Sequence, residues 1–215
     1  TIGSKEGLTH LLMSVLDKGD NVVVQDPSYP IHHYAPLIAG ANVIKIECLS
    51  SKNFLNNLNT TLTTQKIKAV LVSFPHNPTT LTVNKEFYDE LVSLARRYNF
   101  LIINDFAYSD IYFNGEKPPS LLNSDPKFEH TVELYSLTKG YSMAGWRVGF
   151  AVGNESAISS LTKLKSYIDY GTFQPIQIAS TVAINELDDY PKEVSTIYQD
   201  RRMVAEEYLT KYGFE

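Results

Sequence analysis

The 215-residue sequence has a single cysteine, no long apolar run and no excess of basic residues. Cys48 has no partner for an internal disulfide, which is typical of a reducing, cytoplasmic location. No apolar run approaches the roughly 18 to 20 residues that a membrane-spanning helix needs. A formal net charge of −5 argues against a nucleic-acid surface, which requires a basic stripe. We therefore expect neither a membrane nor a nucleic acid as partner.

The composition is that of an ordinary soluble globular protein, with 43% hydrophobic and 20% charged residues. A chain of this length can bury one large core, so we expect one domain, or one large domain and part of a second. The sequence begins at Thr1 as if at the end of a strand or turn, and it ends just after a helix stop signal at Gly213. We interpret it as an internal piece of a longer chain.

Strand and helix patterns alternate along the chain. The strands are continuously apolar and are separated by helical spans, which is typical of a mostly parallel sheet covered on both faces. We predict an α/β fold, a three-layer αβα sandwich, whose first helix is capped by Gly3 or Ser4. The predicted strands are residues 21–25, 42–47, 67–74, 100–104, 131–135 and 147–152, and the predicted helices are residues 5–16, 29–39, 54–59, 84–98, 157–167, 176–186 and 191–211.

Polar and aromatic residues follow four of the predicted strands. They are the segments 26–30, 75–78 and 105–108, and Ser136 with Lys139. Ligands of such sheets bind beyond the carboxyl ends of the strands, so we expect these residues to face one rim. A carboxylate, an amide, a phenol and a lysine together are what an aldehyde cofactor with a phosphate and a pyridine ring requires.

The stretch SLTKGYSMAGWRVG, residues 136–149, places one lysine among small and flexible residues. Exposed helices carry charges at i and i+4 and few glycines, so we predict a loop that presents Lys139. A lysine amine bonds to a carbonyl carbon once it is unprotonated, and a nearby cation such as Arg147 favours that form. These residues alone leave open a surface lysine on a glycine-containing connection.

Three motifs in this order and spacing carry a family resemblance: FPHNPT at 74–79, NDFAYSD at 104–110 and SLTKGYSMAGWRVGF at 136–150. Through them the sequence resembles the fold-type I, class I/II aminotransferases, which use pyridoxal 5′-phosphate (PLP), and the match runs along nearly the whole chain. The resemblance implies a PLP-binding large domain over residues 1–187. Residues 188–215 would be an interdomain helix leading into a truncated C-terminal small domain.

The resemblance implies roles around the cofactor ring. Lys139 would hold PLP covalently and transfer the substrate's α-proton, and Asp105 would keep the pyridine nitrogen protonated, although an aspartate at a strand end is otherwise often a cap. Tyr108 and Asn77 would donate hydrogen bonds to the cofactor's phenolate oxygen, with an Asx turn as the alternative for Asn77. Tyr29 would lie flat on the ring, unless it is only a core aromatic.

The resemblance also implies a phosphate site. The backbone N–H groups of Ser4 and Lys5, at the start of a helix, would bind the phosphate together with the Ser136 hydroxyl and the Arg147 guanidinium. Where the family commonly has glycine after Asn-Pro-Thr, this chain has Thr80. We expect the arginine that binds the substrate carboxylate, and the N-terminal segment that closes over the substrate, to lie outside these 215 residues.

By this resemblance the protein is an aminotransferase that acts on an amino acid and a 2-oxo acid. It looks most like alanine (glutamate–pyruvate) aminotransferases, with aspartate and diaminopimelate enzymes nearby. A C–S β-lyase or decarboxylase on the same scaffold, or the effector domain of a PLP-binding transcription regulator, would share the cofactor residues. Family members are homodimers, and residues 167–174 resemble the stretch that reaches the partner subunit.

The histidines give no metal site. His32 and His33 are adjacent, so on a helix they point in different directions. His10, His76 and His130 are scattered, with no Cys, Asp or Glu at ligand spacing. We therefore predict no bound metal.

Overall fold

Six strands form the sheet at the centre of the computed structural model, which describes residues 1–214. Most strand interiors are continuously apolar, as in Val22, Val23 and Val24, because helices cover both faces of the sheet. The strands are β1 (Asn21–Asp26), β2 (Asn42–Glu47), β3 (Ala69–Val72), β4 (Leu101–Asp105), β5 (Thr131–Ser136) and β6 (Gly149–Gly153).

The strand order is β2-β1-β3-β4-β5-β6, and every neighbouring pair is parallel except β5 and β6. The prediction of a mostly parallel α/β sheet is confirmed. The edge strand β6 runs antiparallel to β5 because residues 137–148 form short turns instead of the crossover helix that a parallel connection needs. This places Gly149 directly beside Ser136.

The helices fill the intervals between the strands and the C-terminal part of the chain. Short 3₁₀ turns at Leu121–Ser124 and Ala144–Trp146 complete the regular structure. The helices are α1 (Gly3–Val15), α2 (Pro30–Ile38), α3 (Ser51–Thr64), α4 (Lys85–Tyr98), α5 (Leu137–Gly140), α6 (Glu155–Ile168), α7 (Gln174–Glu186) and α8 (Tyr190–Lys211).

Successive strand residues supply two separate cores, one on each face of the sheet. Val23 and Val70 point into the core formed with α3 and α4. Val22 and Leu71 point into the opposite core, formed with α1, α2 and α6. Because side chains alternate across a strand, one continuously apolar strand serves both cores. These layers are the predicted αβα sandwich.

The third helix is much longer than the predicted 54–59. Its sequence, rich in Asn and Thr, has low helix propensity. However, the Ser50 hydroxyl caps the helix by accepting a hydrogen bond from Asn53 N. Phe54, Leu58 and Leu62, spaced four residues apart, are buried against the sheet and extend the helix over fourteen residues.

The predicted cap of the first helix is wrong. Ile2 is the N-cap residue, and Gly3 and Ser4 lie inside the first turn of α1. The Ile2 side chain makes no capping hydrogen bond. Instead, the Glu6 carboxylate accepts a hydrogen bond from Ile2 N at 2.6 Å, so the N–H groups of Ser4 and Lys5 remain at an open helix start.

Helices α7 and α8 have few buried side chains. On α8, only Pro191, Val194 and Ser195 are buried. The Ser195 hydroxyl accepts a hydrogen bond from Tyr112 N, which fastens α8 to the loop after β4. None of the helices in residues 1–214 combines the length and the apolar character needed to cross a membrane.

Candidate active site

The carboxyl ends of the parallel strands bring the candidate residues to one edge of the sheet. Strands β1, β3, β4 and β5 run in the same direction, so the segments that follow them start at the same edge. Tyr29 follows β1, Asn77 follows β3, Tyr108 follows β4 and Lys139 follows β5. The structure thus groups residues that are far apart in sequence.

Asp105 is the last residue of β4, and its side chain is nearly buried. Its Oδ2 atom lies 3.0 Å from Nε2 of His32, on the first turn of α2. Its Oδ1 atom is buried and has no hydrogen-bond partner among the described residues. A buried carboxylate oxygen without a donor is costly, so this atom is suited to accept a hydrogen bond from a ligand.

His32 is part of this arrangement, although the sequence analysis gave it no role. It is 2% exposed, and its ring also meets the edge of the Tyr29 ring, with 5.8 Å between the ring centroids. His32 therefore orients Asp105 and packs against Tyr29. The sequence signal that could have identified His32 is its position on the first turn of a helix that begins at the same sheet edge.

Lys139, Tyr108 and Asn77 form one group. The Lys139 Nζ atom lies 5.5 Å from the centroid of the Tyr108 ring. The Asn77 amide donates a long hydrogen bond, 3.4 Å, to the Tyr108 hydroxyl. A cavity of about 1210 Å³ opens beside this group and is lined by Asn77, Tyr108, Tyr112 and Arg201, among other residues.

Lys139 lies on the single helical turn α5, whereas a loop was predicted. The Ser136 hydroxyl caps this turn by accepting a hydrogen bond from Thr138 N at 3.2 Å. The turn packs tightly at Gly140, where an added Cβ would lie 2.6 Å from Asp110 Oδ2. Asp110 in turn accepts a hydrogen bond from the Tyr135 hydroxyl at 2.6 Å. Lys139 is thus presented by a fixed turn and not by a flexible loop.

The start of α1 meets Arg147 and β6 at the same edge. The Arg147 guanidinium lies so close to Gly3 that a Cβ on this glycine would overlap it. Gly149 touches the same turn, since an added Cβ would lie 2.8 Å from Ser4 N. Because Gly149 pairs with Ser136, the residues proposed for the phosphate surround one corner.

Within this corner, the Ser136 hydroxyl is engaged by its own loop. Its Oγ atom lies 2.8 Å from Thr138 Oγ1 and 3.3 Å from the Val148 carbonyl oxygen. Arg147 has left-handed backbone angles, φ 54° and ψ 58°, and its Nη1 donates to the Ala144 carbonyl at 3.0 Å. Arg147 precedes β6, so the prediction that it is the first residue of this strand is wrong.

Tyr29 connects the corner with Asp105. The Lys5 ammonium lies 5.2 Å from the centroid of the Tyr29 ring, a cation–π distance. Another neighbour of this ring is His32, which contacts Asp105. Tyr29 is half-buried, so part of it stays open to a ligand. It is therefore not simply a core aromatic.

His76, next to Asn77, is a buried neutral group. Its Nδ1 atom lies 2.6 Å from Thr79 Oγ1, and its Nε2 atom is buried without a partner among residues 1–214. Burial lowers the pKa of His76 to about 4, and nearby His32 contributes to this effect. The residue therefore stays uncharged at neutral pH.

The statement that no carboxylate lies at ligand spacing from His10 is wrong. Glu6, one helical turn earlier, and Asp169 at the end of α6 lie close enough to His10 to share an ion. However, the Lys165 ammonium donates hydrogen bonds to both carboxylates, at 2.8 and 2.6 Å. This cluster is therefore an ion-pair network, in which a cation of the protein itself already binds both carboxylates.

The sheet and the residues at its carboxyl edge have the arrangement of α/β proteins in which ligands bind at the strand ends. The family model described as aminotransferase class I and II matches residues 1–215. The chain belongs to this family, whose members use PLP.

Two curated relatives and one solved structure illustrate the similarity. Glutamate-pyruvate aminotransferase AlaC of Escherichia coli (strain K12) is 42% identical over 216 residues, covering 100% of this chain and 52% of that protein. LL-diaminopimelate aminotransferase of Nitratidesulfovibrio vulgaris is 39% identical, covering 99% and 55%. An aspartate aminotransferase from Thermotoga maritima has a TM-score of 0.89 at 32% identity, covering 99% and 56%. The chain thus spans about half the length of the curated relatives it matches.

The arrangement fits PLP on observations of this structure. The Oδ1 atom of Asp105, without a partner in the described part of the chain, can accept a hydrogen bond from a protonated ring nitrogen. At the other end, the open start of α1 and the Arg147 guanidinium form a positively polarised corner suited to a phosphate. The half-buried Tyr29 ring between them offers an aromatic face.

Proposed function

We propose that the full protein is a PLP-dependent aminotransferase, which moves an amino group between an amino acid and a 2-oxo acid. The observation that carries the proposal is the buried Oδ1 of Asp105, which has no partner within residues 1–214 and lies at the same sheet edge as Lys139. The relatives named above favour alanine and glutamate, or aspartate, as substrates. When bound, PLP supplies an aldehyde and a pyridinium ring that draws electrons from the substrate's α-carbon.

We propose that Asp105 holds a proton on the ring nitrogen. A carboxylate facing a ring nitrogen favours the protonated form, because the two charges attract in a site that is shielded from water. His32 donates to the other carboxylate oxygen and so fixes the direction of Oδ1. Tyr29 would lie against the ring, and its contacts with His32 and Lys5 restrict the motion of its side chain.

Lys139 is proposed as the covalent attachment point and the general base. Its Nζ atom would hold the cofactor's aldehyde carbon and would take the proton from the substrate's α-carbon. The Tyr108 hydroxyl and the Asn77 amide, which already contact one another, would donate hydrogen bonds to the cofactor's phenolate oxygen. The rigid α5 turn supports this role because it limits the positions that Nζ can reach.

The phosphate is proposed to bind the backbone N–H groups of Ser4 and Lys5 and the Arg147 guanidinium. The Ser136 hydroxyl would contribute after it turns away from Val148, with which it now shares a hydrogen bond. The helix start supplies a favourable dipole, and arginine supplies a planar pair of donors. Several weak donors converging on one anion give strong binding together.

We also propose a domain boundary and an assembly. Residues 1–187 would form the large domain, and residues 188–215 would lead into a small domain.

A homodimer is supported by the segment 167–174, where Tyr167, Tyr170 and Phe173 are exposed. Exposed aromatic residues clustered on one segment are typical of protein interfaces. The single buried Cys48 supports a cytoplasmic location.

Mixing the full-length protein with PLP and then with single amino acids tests the proposal. We expect a visible absorbance band from bound PLP that shifts with alanine, glutamate or aspartate. The original absorbance band should return when a matching 2-oxo acid is added. The absence of this absorbance band would overturn the proposal. Release of ammonia from the amino acid without any 2-oxo acid would also overturn it and would identify a lyase.

A further inference from the structure

Lys165 on α6 links elements that are distant in the sequence. Its Nζ atom donates to Glu6 Oε1, on the first turn of α1, and to Asp169 Oδ2, at the end of its own helix. The side chains of Lys165, Glu6 and Asp169 are only 13%, 17% and 15% exposed. Water therefore screens these ion pairs less than it screens pairs on an open surface.

The other oxygen of Glu6 continues this link to the backbone. Glu6 Oε2 accepts a hydrogen bond from Ile2 N at 2.6 Å. Ile2 is the residue directly before Gly3. The Ile2 side chain makes no capping hydrogen bond, and the Glu6 carboxylate accepts one at this end instead, which helps to hold the first turn in place. The hydrogen-bonded link from Lys165 through Glu6 to Ile2 thus helps to orient the N–H groups of Ser4 and Lys5.

Charge gives Lys165 a second effect. A carboxylate on the first turn of α1 repels an anion at the same helix start, and the Lys165 ammonium offsets this charge. Burial lowers the pKa of Lys165, but hydrogen bonds with Asp169 and Glu6 raise it more, and the net pKa is raised. Lys165 is therefore positively charged at neutral pH.

Asp169 fixes the other end of the link. Its Oδ1 atom accepts a hydrogen bond from Gly171 N at 2.9 Å, which closes the turn after α6. Asp169 thus holds Lys165 from one side while Glu6 holds it from the other. A lysine held between two carboxylates has little freedom to turn away from α1.

We infer that Lys165 is a positioning residue for the phosphate end of the site, which orients the first turn of α1 and neutralises Glu6 beside it. This inference rests on the proposed function, because it concerns the phosphate of PLP. In this proposal Lys165 would not contact the phosphate itself. It acts through Glu6 and the helix start.

The test compares PLP with pyridoxal, which has the same ring and aldehyde but no phosphate. Each is titrated into full-length apo protein carrying Lys165→Met, Lys165→Arg or Lys163→Met. We expect Lys165→Met to weaken PLP binding about tenfold, the effect of losing one hydrogen bond to a charged group, and to leave pyridoxal binding unchanged. Lys165→Arg, which can still bridge the two carboxylates, should retain PLP affinity. Lys163, exposed on the same helix, is the matched control.

Two results would overturn the inference. One is a folded Lys165→Met protein that binds PLP as tightly as wild type. The other is an equal loss of affinity for PLP and pyridoxal, because it would mean that Lys165 only stabilises the fold. If Lys165→Met does not fold, Lys165→Gln replaces it with the same expectation. A wild-type protein that binds neither compound would instead contradict the proposed function itself.

Discussion

At the scale of single residues, the environment of Asp105 explains why a carboxylate is needed. One oxygen contacts His32, while the other is buried and lacks a donor among the described residues. An asparagine amide of the same shape could keep the contact with His32. It would carry no negative charge to face a ligand at the position of Oδ1.

Asp105→Asn should therefore leave PLP bound but lower turnover by about 10²- to 10³-fold, because a charge-stabilising partner is lost. The measurement is kcat together with the rate at which the substrate's α-proton exchanges with solvent deuterium. Asp89→Asn, on the exposed face of α4, is the control and should retain both rates. Near-normal exchange in Asp105→Asn would contradict the proposed role.

His76 makes stability depend on pH. Its pKa is about 4 in the folded protein, below the ordinary value of 6.5, so the unfolded chain binds more protons between these values. Its contribution to folding is complete above pH 6.5 and is lost as the pH falls towards 4, by about 2 kcal/mol after allowing for solvent screening. Urea unfolding of wild type and His76→Asn at pH 7 and 4.5 should show a smaller loss in the variant. An identical loss in both proteins would disprove this account.

Sequence alone identified Asp105, Asn77 and Lys139 as candidates because each follows a strand end. It did not identify His32, since the contact with Asp105 joins residues 73 positions apart. A pattern within one helix says nothing about what a side chain meets across the sheet. The link from Lys165 to Glu6, which spans 159 positions, could not be predicted for the same reason.

At the scale of elements, the phosphate corner depends on the close approach of β6 to α1. An added Cβ at Gly149 would lie 2.8 Å from both Gly3 C and Ser4 N, and 2.9 Å from the Tyr135 carbonyl oxygen. All three atoms belong to the backbone, so none can move aside without shifting an element.

Gly149→Ala should therefore push β6 away from the start of α1. We expect a loss of about 1–3 kcal/mol in the free energy of unfolding, as for other overpacked sites, together with weaker PLP binding. Gly145→Ala is the matched control, because an added Cβ there meets nothing within 4 Å. Urea denaturation and PLP titration measure the two effects, and equal behaviour of the two variants would refute the close contact.

The elements themselves were largely predictable, while their ends and directions were not. The alternation of apolar strands and helices led to the correct layered sheet. The direction of β6 could not be read from its residues, because Gly149–Gly153 would be apolar in either orientation. The length of α3 depends on burial of Leu58 and Leu62 against the sheet, which outweighs weak helix propensity.

At the scale of the whole molecule, the proposed dimer depends on the segment 167–174. Tyr170 is 91% exposed and lies in the turn between α6 and α7. Its backbone has a positive φ of 56°, so asparagine is a suitable replacement. In a symmetric dimer each change occurs twice, which doubles its effect on assembly.

Tyr170→Asn should raise the dimer dissociation constant by about tenfold or more, the effect of removing an aromatic interface anchor. Sedimentation velocity over a range of protein concentrations measures this constant. Tyr34→Asn, exposed on α2 near the opposite edge of the sheet, is the control and should dimerise like wild type. Equal dissociation constants for the two variants would show that Tyr170 does not contribute to the interface.

The central claim is that Lys139 carries the cofactor. Full-length protein saturated with PLP is reduced with borohydride, digested, and the peptide containing Lys139 is analysed by mass spectrometry, with Lys139→Ala treated in parallel. We predict that this peptide gains the mass of the reduced cofactor and that no other lysine peptide does. An unmodified Lys139 peptide, with the cofactor on another lysine or on none, would contradict the account.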